Sequence, residues 1–405
     1  MVKTVITLKK GKMNKFQQSI QEAIIQERVG DKIRELRIVK KMTLKSLSSQ
    51  VGISPGQLSK IETGKATISI KILTQICQIL KRPLSYLFQR EDEIPRVLGT
   101  LNTVAGPENH GILWFAQEIQ RCTDQRISLI PLSTTQLGSA RDQVKQLCQG
   151  VIDLFIDELY QYQQFVSALN IFSLPYTFQD VNQQQIFLRS SYFRNKVLNT
   201  LLVKGIQFLN SRWNWFRGLE WVLVSTRPIF KPDEIKGLRV RIYESETLSR
   251  FWEHMGANPV VVPWPKVKES LQKEEVDVVA TRKSHVYPLE FCRYARYVTL
   301  LGDVSPVLGV GMNEVKYQTL PPSIQNSLKD ACDAAGDSFT EHIRRSEKKN
   351  ELLNISRFKA AYLKVDDTPW RQAVSRARNK LIEEDLVSRE IWEEINRCRH
   401  KRGDL

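Results

Sequence analysis

The spacing of apolar residues changes once along the chain, near residue 95, and this constrains the fold more than any other feature. Between residues 31 and 88 the apolar positions recur at helical intervals: Ile33 and Leu36, then Leu44, Leu47 and Val51, then Leu58 and Ile61, then Ile72, Leu73, Ile76, Ile79 and Leu80. Beyond Val97, short apolar runs (Val97–Leu101, Ile127–Pro131, Val151–Ile156) alternate with helical stretches. Helices alone predict a small bundle, and the alternation predicts α/β structure with a mainly parallel sheet. An acidic, polar stretch at 89–93 and Pro95 separate the two parts. A length of 405 residues fits two or three domains.

Charge divides at the same place. The net charge is +16. Residues 1–92 hold 18 Lys+Arg against 7 Asp+Glu, and the other 313 residues hold 42 against 37. A short, strongly basic end points to a polyanion as partner. With 41% hydrophobic and 26% charged residues, disordered, collagen-like and disulfide-scaffold classes are excluded. No run of about 18 apolar residues is present, so no membrane-spanning helix is expected.

The first residues, MVKTVITLKKGKMNKF, offer too short an apolar stretch for a secretion signal, so a cytoplasmic protein is expected. Residues 1–28 read as a basic, Gln-rich arm that either touches phosphate or is solvated. The six cysteines are scattered and predict free thiols. The histidines lie far apart, so neither a metal site nor a cofactor is expected.

The basic part has the punctuation of a helix-turn-helix. The first helix is expected to end near Met42. Thr43 is placed to cap the next helix, Gly52 to stop it, and Ser54-Pro55 to start a third. A fourth is expected over Ile68–Leu80. The run Gly52-Ile53-Ser54-Pro55-Gly56 also fits the G-x-S-x-G nucleophile pattern. That pattern needs a strand before the serine, and here a helix precedes it, so Ser54 reads as a cap.

The residues IRELR (33–37), MTLKSL (42–47), VGISPGQLSKIETGK (51–65) and LTQICQIL (73–80) resemble the lambda repressor/Cro-type (XRE) helix-turn-helix family. The resemblance implies a DNA-binding domain at 29–90 whose third helix enters the major groove. It places Ser54, Pro55, Gly56, Gln57, Ser59 and Lys60 at the DNA, with Lys45, Thr63 and Lys65 as phosphate contacts. It also implies an ion pair between Arg37 and Glu62. Leu44 stands where many members carry a glutamine that clamps phosphate, and Pro55 and Gly56 replace the usual polar readers. DNA shape is therefore expected to contribute more to recognition.

The second part carries, in order, HGILWFAQEI (110–119), QLGS (136–139), QGVID (149–153), LPYTFQD (174–180), RPIFKPDEIKGLRVRI (227–242), MGANPVVVPW (255–264) and LQKEEVDVV (271–279). These resemble the solute receptors of TRAP transporters (the DctP family). The resemblance implies a two-lobed α/β fold of the type II periplasmic-binding-protein class over 95–390, behind an all-α head. It places a carboxylate-binding arginine at Arg241. Strand alternation puts Arg239 and Arg241 on one face and cannot choose between them. Arg217, Asn102, Thr103, Trp264 and Thr281 are further ligand candidates, with 155–158 at the end of the third strand. Val278–Thr281 depart from the family's usual Gly and acidic-amide pattern, which alters the expected pocket floor. Long helices are expected over Gln325–Asn350 and Trp370–Glu384. The tail 391–405 is either a dimerisation helix or a frayed end.

These readings together imply a one-component bacterial transcription regulator. A small organic anion, most simply a carboxylate, would bind the receptor part and modulate binding to a double-stranded DNA operator by a homodimer or higher oligomer, with no membrane partner. The alternative is a DNA-binding oligomeric scaffold whose receptor-like fold takes no ligand. The sequence offers no phosphate loop, metal set or triad, so no enzyme is expected.

Overall fold

A computed structural model describes residues 29–399, apart from 67, 81, 83, 85–86, 88–95, 102–107, 109, 133–136, 219 and 305–306. The basic arm, the acidic link and residues 400–405 lie outside the described residues.

The head consists of α1 (Val29–Val39), α2 (Leu44–Val51), α3 (Pro55–Glu62) and α4 (Ile70–Leu80). Ile33, Leu47, Leu58, Leu73, Ile76 and Leu80 are fully buried between them. Thr43 Oγ1 accepts the Ser46 amide at 3.0 Å, and Ser54 Oγ accepts the Gln57 amide at 3.1 Å, so both caps form. Gly52 takes φ 79°, the left-handed stop that favours glycine. α1 ends three residues before the expected Met42, because Lys41 turns left-handed (φ 54°) and Met42 O accepts a hydrogen bond from Arg37 Nη1. α4 begins at Ile70 rather than Ile68, after Ser69 Oγ accepts the Ile72 amide. At Gly30, α1 crosses α3 so closely that a Cβ would lie 2.9 Å from the Glu62 carbonyl.

The remainder forms two lobes, each built on one sheet. The elements in order are β1 (Arg96–Leu101), α5 (Gly111–Cys122), β2 (Ser128–Pro131), α6 (Ala140–Cys148), β3 (Leu154–Glu158), α7 (Val181–Arg189), α8 (Asn199–Val203), β4 (Ile206–Phe208), β5 (Glu220–Ser225), β6 (Arg239–Ile242), α9 (Glu246–His254) and β7 (Asn258–Val261). They continue with α10 (Val267–Gln272), β8 (Val278–Arg282), α11 (Lys283–Val286), β9 (Tyr297–Val304), β10 (Leu308–Asn313), α12 (Glu314–Gln318), α13 (Pro322–Phe358), β11 (Ala361–Lys364), α14 (Asp367–Glu383) and α15 (Arg389–Arg397).

The first sheet runs β2-β1-β3-β10-β4 and the second β11-β9-β5-β8-β6-β7. Both are mixed, not mainly parallel as the alternation suggested. β10 runs antiparallel to β3 and β4, and β5 runs antiparallel to β8 and β9. The cause is the double crossing between lobes. A chain that leaves one sheet and re-enters it from the other lobe arrives in the opposite direction. Phe216 and Val307 pair antiparallel where the two crossings meet.

The 37-residue α13 extends past the expected Gln325–Asn350 at both ends. At 1.5 Å per residue it is about 55 Å long, enough to serve both lobes. Phe339, in its middle, packs on Trp215 at 5.2 Å in the first lobe's core. Nearer its end, the Asn354 amide donates to Tyr362 Oη of the second. α15 lies at the start of the segment read as a tail. It buries Ile391 and Ile395, and Gln183 Nε2 of α7 donates to Ile395 O.

Candidate functional sites: a helical face and an interlobe cleft

In the head, Lys45, Ser54, Pro55, Gly56, Gln57, Lys60, Thr63 and Lys65 are all exposed, and Ser59 is half-buried. They cluster at the start of α2 and along α3 with the turns that flank it. The opposite side of α3 supplies Leu58 and Ile61 to the core. Ser54 Oγ is engaged as a cap, and Thr63 Oγ1 donates to Ser59 O at 2.9 Å. That leaves Gln57 and Lys60 as the long polar side chains of α3 that point outward. Arg37 and Glu62 meet as a bidentate pair at 2.7 and 2.8 Å, both largely buried, and fix α1 to α3.

The cleft is assembled at the carboxyl ends of β3, β6 and β8, where open α/β sheets place their ligand sites. Arg239 and Arg241 share a face of β6 but not an environment. Arg239, at the strand's start, pairs bidentately with Asp277 at 2.7 and 2.9 Å. Arg241, at the cleft end, is 8% exposed. Its Nε donates to Val262 O at 2.9 Å, and its guanidinium lies 4.8 Å from the Trp264 ring centre. Among the described residues no carboxylate acts on it. Burial lowers its pKa to about 10, opposed only by Tyr160 and Tyr243. Trp264 contributes a buried indole N–H with no hydrogen-bond partner among the described residues. Position along the strand thus separates two arginines that alternation could not.

Arg217 sits among acids instead. Its Nη1 donates to Asp157 Oδ1 at 2.8 Å and lies 3.6 Å from Glu158 Oε1, and its Nε lies 3.3 Å from Glu108 Oε1. Burial alone would lower its pKa, but Glu108, Asp157 and Glu158 raise it on balance. The charge of Arg217, read from the sequence as a ligand candidate, is thus met by carboxylates of the protein.

Thr281 also faces inward. Its hydroxyl lies 3.0 Å from His285 Nδ1, and His285 Nε2 lies 2.7 Å from Glu108 Oε1. Burial lowers the His285 pKa although Glu108 opposes it. In the neutral ring, Nε2–H donates to Glu108 and Nδ1 accepts from Thr281. Asn102 and Thr103 lie outside the described residues.

Several contacts among the described residues join the lobes across the cleft. Arg282 Nη2 of β8 donates to Glu158 Oε2 of β3 at 2.8 Å, and His285 of α11 reaches Glu108 of the β1–α5 connection. Tyr160 stacks on Tyr243 at 5.0 Å, their planes 9° apart. Sequence reasoning named the end of β3 but missed Glu108, Tyr160, Tyr243, Arg282 and His285. These residues come from separate stretches of chain and no local spacing links them. The only available signal was that each lies near a strand's carboxyl end.

The family profile described as bacterial extracellular solute-binding protein, family 7, matches residues 98–385, and a helix-turn-helix domain profile matches residues 30–93. The 2,3-diketo-L-gulonate-binding periplasmic protein YiaO of Escherichia coli is 23% identical over 262 residues, covering 65% of this chain and 77% of its own. A TRAP periplasmic solute binding protein from Sulfitobacter sp. NAS-14.1 with bound β-D-galacturonate superposes with a TM-score of 0.67 at 21% identity, over 76% of this chain and 100% of that one. One from Shewanella oneidensis with bound succinate gives 0.65 at 18%, over 75% and 98%. These likenesses cover the two-lobed part, and the helix-turn-helix match covers the head. By the profile that spans its two lobes, the chain belongs to family 7 of the bacterial extracellular solute-binding proteins, with a helix-turn-helix domain in front.

Proposed function

We propose that the protein is a cytoplasmic one-component transcription regulator that binds operator DNA through α3 and a small carboxylate in the interlobe cleft. The observation that carries this reading is Arg241. A guanidinium 8% exposed and, among the described residues, without a carboxylate beside it is costly to bury. A ligand carboxylate would relieve that cost with two parallel charge-assisted bonds. The relatives named for 2,3-diketo-L-gulonate, galacturonate and succinate are consistent with an organic acid in this cleft. Both matched families are binding domains, which supports a non-enzymatic role.

A route from cleft to head is supported by one contact. The Leu84 amide donates to Val151 O at 3.0 Å, just before β3, and β3 ends in Asp157 and Glu158 at the cleft. Lobe closure would bear on the head through that strand. Closure shifts DNA binding only if the effector prefers one head arrangement. Two heads are needed to meet successive major grooves about 34–36 Å apart, so the working unit is proposed to be a homodimer or a multiple of it. Fluorescence anisotropy on labelled operator DNA, with and without a panel of organic acids, tests the whole reading. A panel member should change the affinity, and an affinity indifferent to every acid that binds the cleft would refute regulation.

A second reading is favoured by the interlobe pairs Glu158–Arg282 and Glu108–His285, which join the lobes through the protein's own charged groups. In that case the receptor part serves as an assembly scaffold. Melting shifts with organic acids separate the two: a scaffold shows none.

A further inference from the structure

The apolar core of the head does not end with its helices. Beyond α4, Leu84 and Leu87 are fully buried. They belong to one continuous apolar core with Leu73, Ile76 and Leu80 of the head and Val144, Leu147 and Ile152 of the first lobe. The Leu84 amide also donates to Val151 O at 3.0 Å. Two apolar side chains and a backbone bond thus seat the head before the acidic stretch at 89–93 is reached.

The turn that receives Leu84 is itself held from both sides. Asn313, at the end of β10, donates through Nδ2 to Leu147 O at 2.9 Å and through its amide to Asp153 O at 2.8 Å. Asp153 is fully buried. Its carboxylate accepts the Leu98 amide of β1 at 2.9 Å, and its own amide donates to Leu98 O at 2.9 Å. The turn is therefore tied to β1 and β10, the two strands that flank β3 in the first sheet. β3 starts at the next residue, and all five of its residues are buried. Its far end carries Asp157, which accepts from Arg217 beside the first crossing, and Glu158, which accepts from Arg282 of the second lobe. One buried strand about 17 Å long has the head's seat at one end and the second lobe at the other.

We propose that Leu84, Leu87 and the turn at 150–153 form a fixed joint, which makes the head and the first lobe one rigid body against which the second lobe moves. Domains of one chain move relative to each other by default unless an apolar interface joins them. Here core residues of both parts make that interface. Hinge motion is absorbed by a few connecting residues and not by packed cores. The crossings at Phe216 and Val307 are such connections. An effector in the cleft then changes where the second lobe stands relative to α3 and leaves the seating of the head unchanged. This use of the joint rests on the regulatory reading above, whereas the joint itself does not.

Electron-spin distance measurements on the full-length protein test it. Labels carried on genetically encoded side chains are placed at exposed Gln50 of the head, Gln120 of the first lobe and Lys273 of the second. Without ligand, the Gln50–Gln120 distance should show one narrow distribution. Leu84→Ala combined with Leu87→Ala removes the seat and should broaden it at least about twofold, towards the freedom of loosely joined domains. Leu87→Ala alone decides if the double variant fails to melt cooperatively. Succinate or galacturonate should change the Gln50–Lys273 and Gln120–Lys273 distances and leave Gln50–Gln120 within its ligand-free width.

A broad Gln50–Gln120 distribution in the wild type, or one that shifts with an acid, would overturn the joint. An unchanged width in the folded variants would overturn the assignment to Leu84 and Leu87. A Gln120–Lys273 distance unmoved by an acid that binds would overturn the moving second lobe and the regulatory reading with it. If neither acid binds, the carboxylate reading fails, and the ligand-free widths still decide the joint.

Discussion

Two arginines of similar exposure, one in the head and one in the cleft, differ in whether the protein itself supplies a matching charge. Arg37 is 9% exposed and meets Glu62 through two hydrogen bonds, so its charge is matched inside the head. Arg241 is 8% exposed and has one bond to a backbone carbonyl. Fractional exposure is nearly equal, so exposure does not separate them. The distinguishing quantity is whether the charge is compensated from within. Arg217 sharpens the point: it lies in the cleft, yet three carboxylates surround it, and it behaves like Arg37.

The comparison can be broken most severely in the head. Glu62→Ala leaves Arg37 buried without its carboxylate and should cost about 3–5 kcal/mol. Thermal melting followed by DNA binding should show the head lost while the receptor part still melts cooperatively. A loss under 1 kcal/mol would mean the pair is not structural.

Arg241→Ala should have the opposite signature. Removing one partner of a desolvated charge pair costs about 2–5 kcal/mol of binding, roughly 30-fold to several thousandfold in affinity. Ligand-free stability should be unchanged or higher, because an uncompensated charge is removed. Arg241→Lys should also fail largely, since an ammonium cannot reproduce the planar fork. Calorimetry with an acid that binds the wild type decides it, and equal affinity in Arg241→Ala would sink the assignment.

Lys60→Ala tests the exposed face of α3. Loss of about 1–3 kcal/mol of operator affinity, with relaxed preference at one base pair, is expected. A uniform loss across sequences would instead make Lys60 a phosphate contact.

Arg239→Ala is the smallest and serves as the control. Its pair with Asp277 is partly exposed, which limits it to about 0–1 kcal/mol of stability, and acid binding should not change. The hydrogen bond from Arg239 is the main cause that lowers the Asp277 pKa in the fold. That contribution is present above the unfolded carboxylate value, about 3.9, and is lost as pH falls through the lower folded value. Acid titrations of wild type and Arg239→Ala should therefore diverge above about pH 4 and converge below it. Divergence that grows on acidification would contradict the pairing.

The head was almost fully legible from its residues alone. Caps, stops and the Arg37–Glu62 pair depend on residues within about 25 positions of one another in a gapless motif, and the turn chemistry leaves few other conformations. The two-lobed α/β receptor that follows was legible too, because ordered segments each describe one local element. The tertiary structure decided the rest. It set strand direction in the mixed sheets, since the double crossing between lobes is a property of the path and not of any strand. It gave Arg239 and Arg241 different surroundings, since both satisfy the same alternation and only position along β6 separates the one paired with Asp277 from the one bonded to Val262 O. It brought together Glu108, Glu158, Arg217, Arg282 and His285, which lie up to 177 residues apart in the chain. Charge compensation in a buried cleft is a sum over neighbours in space, and adjacency in sequence carries almost none of it.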